Sequence, residues 1–288
     1  MHETLNRVPT LAEPMALNGE AHRNGGNVEK RRLSFTQLNM FLRCPRQYHA
    51  RYVLGIHTPT SGAMVQSRVW HETVERNYRQ KIASRADLPL ADLQAFYAER
   101  FDEALRIEEV VFESDESAGA LKDEGLAIVA AHHREIAPAV QPLLVEKSFR
   151  ISLGADFPYE LVGVWDLIEE GGIVCDNKAY AKTPSQQDLD RDLQMTIYSL
   201  AYRATFGELE QGLRVDAVLK HKTPKAVQLT TRRTNRDCQW LLGLIEEVAQ
   251  AMEQQVFFPN PNGWHCAPRF CGFWNRCMGS INHHEVRS

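Results

Sequence analysis

The stretch LVGVWDLIEEGGIVCDNKAYAKTPSQQDLDRDLQMTIY, residues 161–198, constrains this chain more than any other part of it. It reads as a β-hairpin, a polar loop and a helix. LVGVWDLIEE has strand composition, and GIVCDNKAY is a second short run at a Gly-Gly turn. Alternation along a strand sends Asp176 and Lys178 to one face and Asn177 to the other. The partner of Asp166 depends on the turn. An odd loop, Glu170-Gly171-Gly172, sets Asp166 directly across from Asp176, whereas a Gly171-Gly172 turn pairs it with Asn177 on the opposite face. The odd loop is expected, because Val162, Val164 and Ile168 share the face of Asp166. A lone carboxylate among them is costly to bury without a cation.

Two carboxylates and a lysine on one face suit a hard divalent cation, which takes carboxylate, water and substrate-phosphate oxygens. A surface Asp-x-Lys pair beside a structural aspartate uses the same residues, so the rest of the constellation decides. Gly163-x-x-Asp166, Asp176-Asn177-Lys178 and Gln194-x3-Tyr198, in that order, resemble the PD-(D/E)XK nuclease superfamily. They resemble in particular its RecB-like branch, with the CRISPR-associated and phage-type exonucleases. The resemblance implies an α/β fold, with a mixed central β-sheet flanked by helices, and metal-dependent hydrolysis of DNA phosphodiesters. It also implies Mg2+ or Mn2+ held by Asp166, Asp176, His71 and the backbone carbonyl of Asn177. Lys178 would position the attacking water and stabilise charge on the phosphate. Gln194 and Tyr198, four apart on one helix face, would lie beside the metal and contact DNA.

Taken by itself, His71 belongs to a helical stripe with Val74 and Tyr78 in GAMVQSRVWHETVERNYRQK, where a histidine is more often a core residue. Its resemblance to the RecB-like pattern Gly-x3-His-x3-Glu implies a metal ligand, with Glu75, one turn on, either orienting the imidazole or a plain exposed acid. Ser67 stands where that pattern has glycine.

The remaining chain fits one large domain over residues 31–280. Its 288 residues are 43% hydrophobic and 24% charged, ordinary for a globular protein. Residues 1–30 lack periodicity and read as a disordered tail. Order is expected from Ser34, which with Gln37 forms a capping-box pattern, and Pro45 breaks or restarts the helix. Residues 88–113 and 117–137 read as helices of an insertion spanning about 85–140. Residues 143–153 read as the strand leading into the hairpin, and 188–207 as one amphipathic helix. LRVDAVLK and AVQLTTRR close the sheet, and a long helix follows from about Arg236. No long apolar run and no apolar signal segment is present, which leads to a cytoplasmic expectation without membrane contact.

A net charge of −4 excludes a general polyanion sponge, so nucleic-acid affinity must come from local basic patches. One patch holds Arg43 and Arg46 with Lys30, Arg31, Arg32 and Arg51. A second holds Lys220 and Lys222 with Lys225, Arg232 and Arg233. End-bearing or single-stranded DNA is the implied partner. The competing class is a non-catalytic DNA-end-binding subunit of a larger repair, recombination or defence complex. Loss of a carboxylate or of the lysine would signal that class, and none is missing. An RNA-binding reading finds no recognisable RNA module.

FFPNPNGWHCAPRFCGFWNRC sets Cys266, Cys271 and Cys277 in a Cys-x4-Cys-x5-Cys loop. Such thiols in a large cytosolic chain are more often metal ligands or core residues than disulfides. Cys175 in the hairpin and Cys238 among apolar helix neighbours read as buried small residues, which leaves Cys44 as the candidate fourth thiol. The RecB-like branch often has one early and three late cysteines around a 4Fe–4S cluster. The resemblance implies that role for Cys44, Cys266, Cys271 and Cys277, although the late spacing there usually begins with Cys-x2-Cys. Thiolates suit Zn2+ as well, and spacing alone does not choose between them. The aromatic residues Trp264, Phe270, Phe273 and Trp274 favour iron by shielding a cluster. Either metal would make residues 260–280 a strap tied back to residue 44.

Overall fold

The computed structural model describes residues 30–282, so the tail expected over residues 1–30 lies almost wholly outside the described residues. Strand β1 (Arg31–Ser34) precedes helix α1 (Phe35–Arg43), so ordered structure begins slightly ahead of Ser34. The capping box is present: Ser34 Oγ accepts from the Gln37 amide at 3.3 Å, and Gln37 Oε1 accepts from the Ser34 amide at 2.8 Å. Pro45 restarts the helix as α2 (Pro45–Tyr48), which continues as a wide turn over His49–Val53.

Strand β2 (Thr60–Ser61), helix α3 (Gly62–Ser84), helix α4 (Leu90–Ile107), strand β3 (Val110–Val111) and helix α5 (Ala118–Glu135) follow. Helices α4 and α5 occupy the span read as an insertion, and they do not stand apart. With α3 they make one layer against the sheet, around Trp70, Tyr78, Tyr97, Phe101 and Ile128.

The sheet adds β4 (Pro142–Ser152), β5 (Tyr159–Glu169), β6 (Ile173–Tyr180), β7 (Gly212–Leu219) and β8 (Lys225–Thr231). β4 runs antiparallel along one side of β5. On the other side, β1 pairs in parallel with Tyr159–Val162, and β6 pairs antiparallel with Leu167 and Ile168. β7 lies parallel to β6 and antiparallel to β8, so the sheet is mixed, as expected. Helices α1, α7 (Leu193–Phe206) and α8 (Asn235–Glu253) cover its other face around Leu161, Trp165, Val174, Leu213 and Val215. Helix α9 (Trp274–Asn282) closes the described chain.

One continuous helix over residues 188–207 does not form. A short α6 (Gln186–Asp190) ends, and Asp192 starts α7, its carboxylate accepting from the amides of Gln194 at 2.7 Å and Met195 at 3.1 Å. An aspartate satisfies free amides better at a cap than it serves a helix interior.

Gly163 of the Gly-x-x-Asp motif is a packing device. A methyl group there would fall 2.4 Å from the Phe149 ring, which lies tilted on Trp165 with centroids 4.7 Å apart. Gly163→Ala should therefore lower stability by roughly 1–3 kcal/mol through overpacking. A denaturant midpoint equal to that of wild type would show that the ring moves aside freely.

Candidate active site and cysteine centre

The hairpin loop is odd, as expected. β5 ends at Glu169 and β6 begins at Ile173, with Gly171 and Gly172 both at positive φ in the turn. The register Leu167↔Cys175 carries on to set Asp166 across from Asp176. The reason differs from the one expected, because the apolar face of β5 is not continuous. Leu161 and Trp165 pack in the α7 and α8 layer, Leu167 packs in the α3 layer, and Ile168 returns to the first. Val164 is 40% exposed. The side chains thus switch layers at Asp166.

Strand pairing stops at the same point. Beyond Leu167↔Cys175 the strands splay, and the Asn177 amide, freed from the ladder, donates to Asp166 Oδ2 at 2.9 Å. A backbone donor that loses its strand partner needs another, and the carboxylate supplies it. Asn177 itself is buried on the other face.

Asp176 and Lys178 share the α7 face. Lys178 Nζ donates to Asp176 Oδ2 and, at 2.8 Å, to Gln194 Oε1. Gln194 Nε2 donates to Asp176 Oδ1 at 2.9 Å and to the Tyr198 hydroxyl at 3.0 Å. That hydroxyl lies 3.4 Å from Asp166 Oδ1. The side chain of Gln194 therefore holds both Asp176 and Lys178 of β6. Gln194→Ala should cut turnover on DNA roughly ten- to a hundredfold, with little change in melting temperature, as expected for a group that orients others. Unchanged turnover would remove it from the site.

Electrostatics mark the cleft as short of positive charge. Burial raises the Asp176 pKa to about 6 against the pull of Lys178, and Asp166 adds to the rise. Burial also raises Asp166, opposed by the Asn177 amide and Lys178. Burial works against the charge on Lys178, but Asp176 outweighs it and holds the ammonium protonated. Lys178 is thus a donor and a fixed positive charge. Burial lowers the His71 pKa and keeps its imidazole neutral, the form that binds metals.

His71 Nδ1 lies 3.4 Å from Asp166 Oδ2. Glu75 does not orient its ring: the carboxylate pairs with Arg79 Nε at 2.6 Å, one turn further along α3. The sequence reading missed Glu146. His71, Glu146 and Asp166 offer ligand atoms all within 4.8 Å of one another. Glu146 lies on β4 between Val145 and Lys147, which pair with Leu167 and Trp165, so it faces Asp166 across the strands. A lone acid in the strand run 143–153 was its only sequence signal. The donor set of carboxylates and one neutral imidazole, with Lys178 beside it, fits a divalent cation.

The four predicted metal-binding cysteines come together. Cys44, Cys266, Cys271 and Cys277 line one cavity with Arg46, Gln47, His265 and Trp274. Gln47 Nε2 donates to Cys271 Sγ at 3.0 Å, and the Asn260 amide donates to Cys44 Sγ at 3.4 Å. Burial raises the Cys277 pKa, Arg46 lowers it, and the other three thiols raise it. His265 Nε2, buried on the same cavity, has no hydrogen-bond partner among the described residues. Cys175 and Cys238 are buried elsewhere, the first in the α3 layer and the second on α8 beside Ser199 and Arg203.

The basic patches divide. Arg43, Arg46 and Lys222 are exposed. Lys220 is engaged with Gln66 Oε1 and lies 3.5 Å from Glu124. Arg233, expected in the second patch, is buried. It donates to Thr196 Oγ1 at 2.8 Å and to the carbonyls of Leu189 and Asp192, tying β8 to α6 and α7. Among the described residues no helix is long and apolar enough to cross a membrane.

A mixed sheet whose strands splay around two aspartates, a lysine and a histidine defines a class, the metal-dependent phosphodiester hydrolases. The chain belongs to the PD-(D/E)XK nuclease superfamily, whose family model matches residues 32–278. In fold it is similar to the solved structure of a "putative exonuclease" from Eubacterium rectale, at 13% identity and a TM-score of 0.52, covering 82% of this chain and 86% of that one. A second solved structure, SSO0001, matches at 14% identity and a TM-score of 0.30, covering 83% and 92%. No curated protein matches the sequence.

Proposed function

We propose that this chain is a DNA exonuclease of the RecB-like branch, with its divalent cation at Asp166, Asp176, His71 and the Asn177 carbonyl. The contact of Lys178 with both Asp176 and Gln194, beside an Asp166 held by the Asn177 amide, carries the reading. A divalent cation bound there supplies Lewis-acid stabilisation of phosphate charge and lowers the pKa of a bound water. The protein's own groups do the rest. The Lys178 ammonium, protonated through Asp176, donates to the attacking water and to the phosphoryl oxygens as their charge grows. Burial and both aspartates hold the Tyr198 hydroxyl protonated, so it stays a donor to the carboxylates. Gln194 keeps Lys178 and Asp176 in register. Arg43, Arg46 and Lys222 contact phosphates, with Lys220 at the edge of the cleft, and position the strand without reading its sequence.

The exonuclease assignment draws on the fold shared with the Eubacterium rectale protein and on the motif set. Cleavage of 5′- and 3′-end-labelled single- and double-stranded DNA in Mg2+ or Mn2+ tests it. Stepwise release from one end is expected. Cuts within covalently closed circles would make it an endonuclease, and binding without cleavage would leave it an end-gripping subunit.

The four cysteines hold a 4Fe–4S cluster in this reading. Two donors to sulfur, from Gln47 and the Asn260 amide, and the nearby Arg46 suit thiolates that carry cluster charge. Four sulfurs around a single zinc ion would stand about 3.8 Å apart. Among the described residues no three of these sulfurs gather within 4.8 Å. Thiols not drawn to one point leave room for a polynuclear cluster.

A further inference from the structure

We infer that Glu146 is a protein ligand of the divalent cation in the cleft, acting with His71 and Asp166. The inference rests on the nuclease reading for the existence of the cation, and concerns which side chains hold it. Motif spacing points to His71, Asp166 and Asp176. In the folded chain, however, the preassembled donors are His71, Glu146 and Asp166, whose ligand atoms converge within 4.8 Å. Asp176 lies outside that trio: one oxygen accepts from Lys178 and the other from Gln194, with the Tyr198 hydroxyl 3.5 Å away.

The chain does something unusual to bring Glu146 there. Its φ is +47°, a left-handed conformation that a side chain with a Cβ rarely adopts inside a strand. β4 changes layers at this residue: Phe149 and Ile151 pack with α7 and α8, whereas Val145 packs with α3. β5 changes layers at Asp166, the residue it faces. The two reversals are in register, since Val145 pairs with Leu167 and Lys147 with Trp165. Directly opposed residues of an antiparallel pair share a face, so the two carboxylates meet in one opening at the point where both strands reverse. Among the described residues the Glu146 carboxylate makes no hydrogen bond or ion pair, although it is half-buried and faces Asp166. Local bonding offers no reason to hold a carboxylate in a strained backbone beside another. A shared cation does, because it converts repulsion between the two into joint coordination.

One imidazole nitrogen among carboxylates gives the site a borderline donor set. Such a set binds Mn2+ more tightly than Mg2+, which prefers oxygen ligands and its own waters.

The test is a Mn2+ titration of full-length protein, followed by electron paramagnetic resonance of free Mn2+, with melting temperatures measured in EDTA and in Mn2+ at pH 8. Glu146→Gln keeps the size of the side chain and removes its charge. It should weaken Mn2+ binding about tenfold or more. In EDTA it should melt at or above the wild-type temperature, since one of the repelling carboxylates is gone. It should also lose most of the rise that Mn2+ gives the wild type. Glu146→Asp, which keeps the charge on a shorter arm, should bind with intermediate affinity and guards against a folding failure of the first variant. Wild-type Mn2+ affinity in Glu146→Gln would overturn the inference. So would a lower melting temperature in EDTA with unchanged affinity, the pattern of a purely structural residue. Failure of the nuclease reading is distinguishable. Wild-type protein that binds Mn2+ through Glu146 yet cuts no DNA removes that reading alone. Normal cleavage with normal Mn2+ affinity in Glu146→Gln removes this inference alone.

Discussion

Lys178→Ala protein should cleave DNA at background rate, a loss of roughly 10²–10³ or more, the scale for removing one preorganised donor to a developing negative charge. The ammonium of Lys178 is the only group of the cluster on Asp176 and Gln194 that carries positive charge. Its removal takes away both the donor and the counter-charge that opposes the raised pKa of Asp176. DNA affinity should change little, because the phosphate contacts proposed for Arg43, Arg46 and Lys222 are untouched. Asp176→Asn should give a loss of similar size by a different route, leaving a charged lysine with no carboxylate to place it. Single-turnover rates on end-labelled DNA, with affinities measured in parallel, separate the two steps. Wild-type-like cleavage by cleanly purified Lys178→Ala protein would sink the assignment of this site.

Cys44→Ser should strip the metal from the cysteine centre and destabilise the whole fold. Cys44 sits at the end of α1, Cys266 and Cys271 lie in the segment that leads into α9, and Cys277 lies within α9. A metal shared by the four thiols would join the two ends of the described chain, and closing so long a loop removes freedom from the unfolded state, though only logarithmically with length. Such a site forms only in the folded chain, so its binding free energy adds to folding, on the order of several kcal/mol. Protein purified without oxygen should be brown, with broad absorption near ~400 nm. Ser at position 44, 266, 271 or 277 should remove the colour and lower the melting temperature. Cys175→Ser and Cys238→Ser should leave metal content unchanged, since both thiols are buried away from the cavity. Colourless anaerobic protein with one zinc would overturn iron and keep the strap. Full metal content in Cys44→Ser would overturn the strap itself.

The reactive face of β6 was legible in residue order. A strand alternates, so Asp176 and Lys178 had to share a side, and Gln194 and Tyr198 had to share one side of a helix. The expectation of an odd loop rests on reading Val162, Val164 and Ile168 on the face of Asp166. The face argument behind that loop did not survive, because it assumed unbroken alternation along Val162, Val164 and Ile168, and β5 reverses at Asp166. Glu75 looked placed to hold His71 because both lie on one helix, but Arg79 lies on the same helix and takes it. Arg233 looked like part of a basic surface, and burial makes it a tie between β8 and α7.

Sequence alone determined what local geometry determines: strand and helix periods, the cap at Ser34, the early and late cysteines, and the order of the motif residues. Only tertiary structure decided which residues from distant segments share the cleft. Glu146 joins Asp166 through the register of β4 on β5 and through a backbone reversal at φ +47° that no residue type announces. His71 reaches the same point because α3 packs across the sheet. A chain's own periodicity fixes which side of an element a residue occupies. Its partner across the element is set by pairing and packing, whose energies are spread over many residues and cannot be read from any one of them.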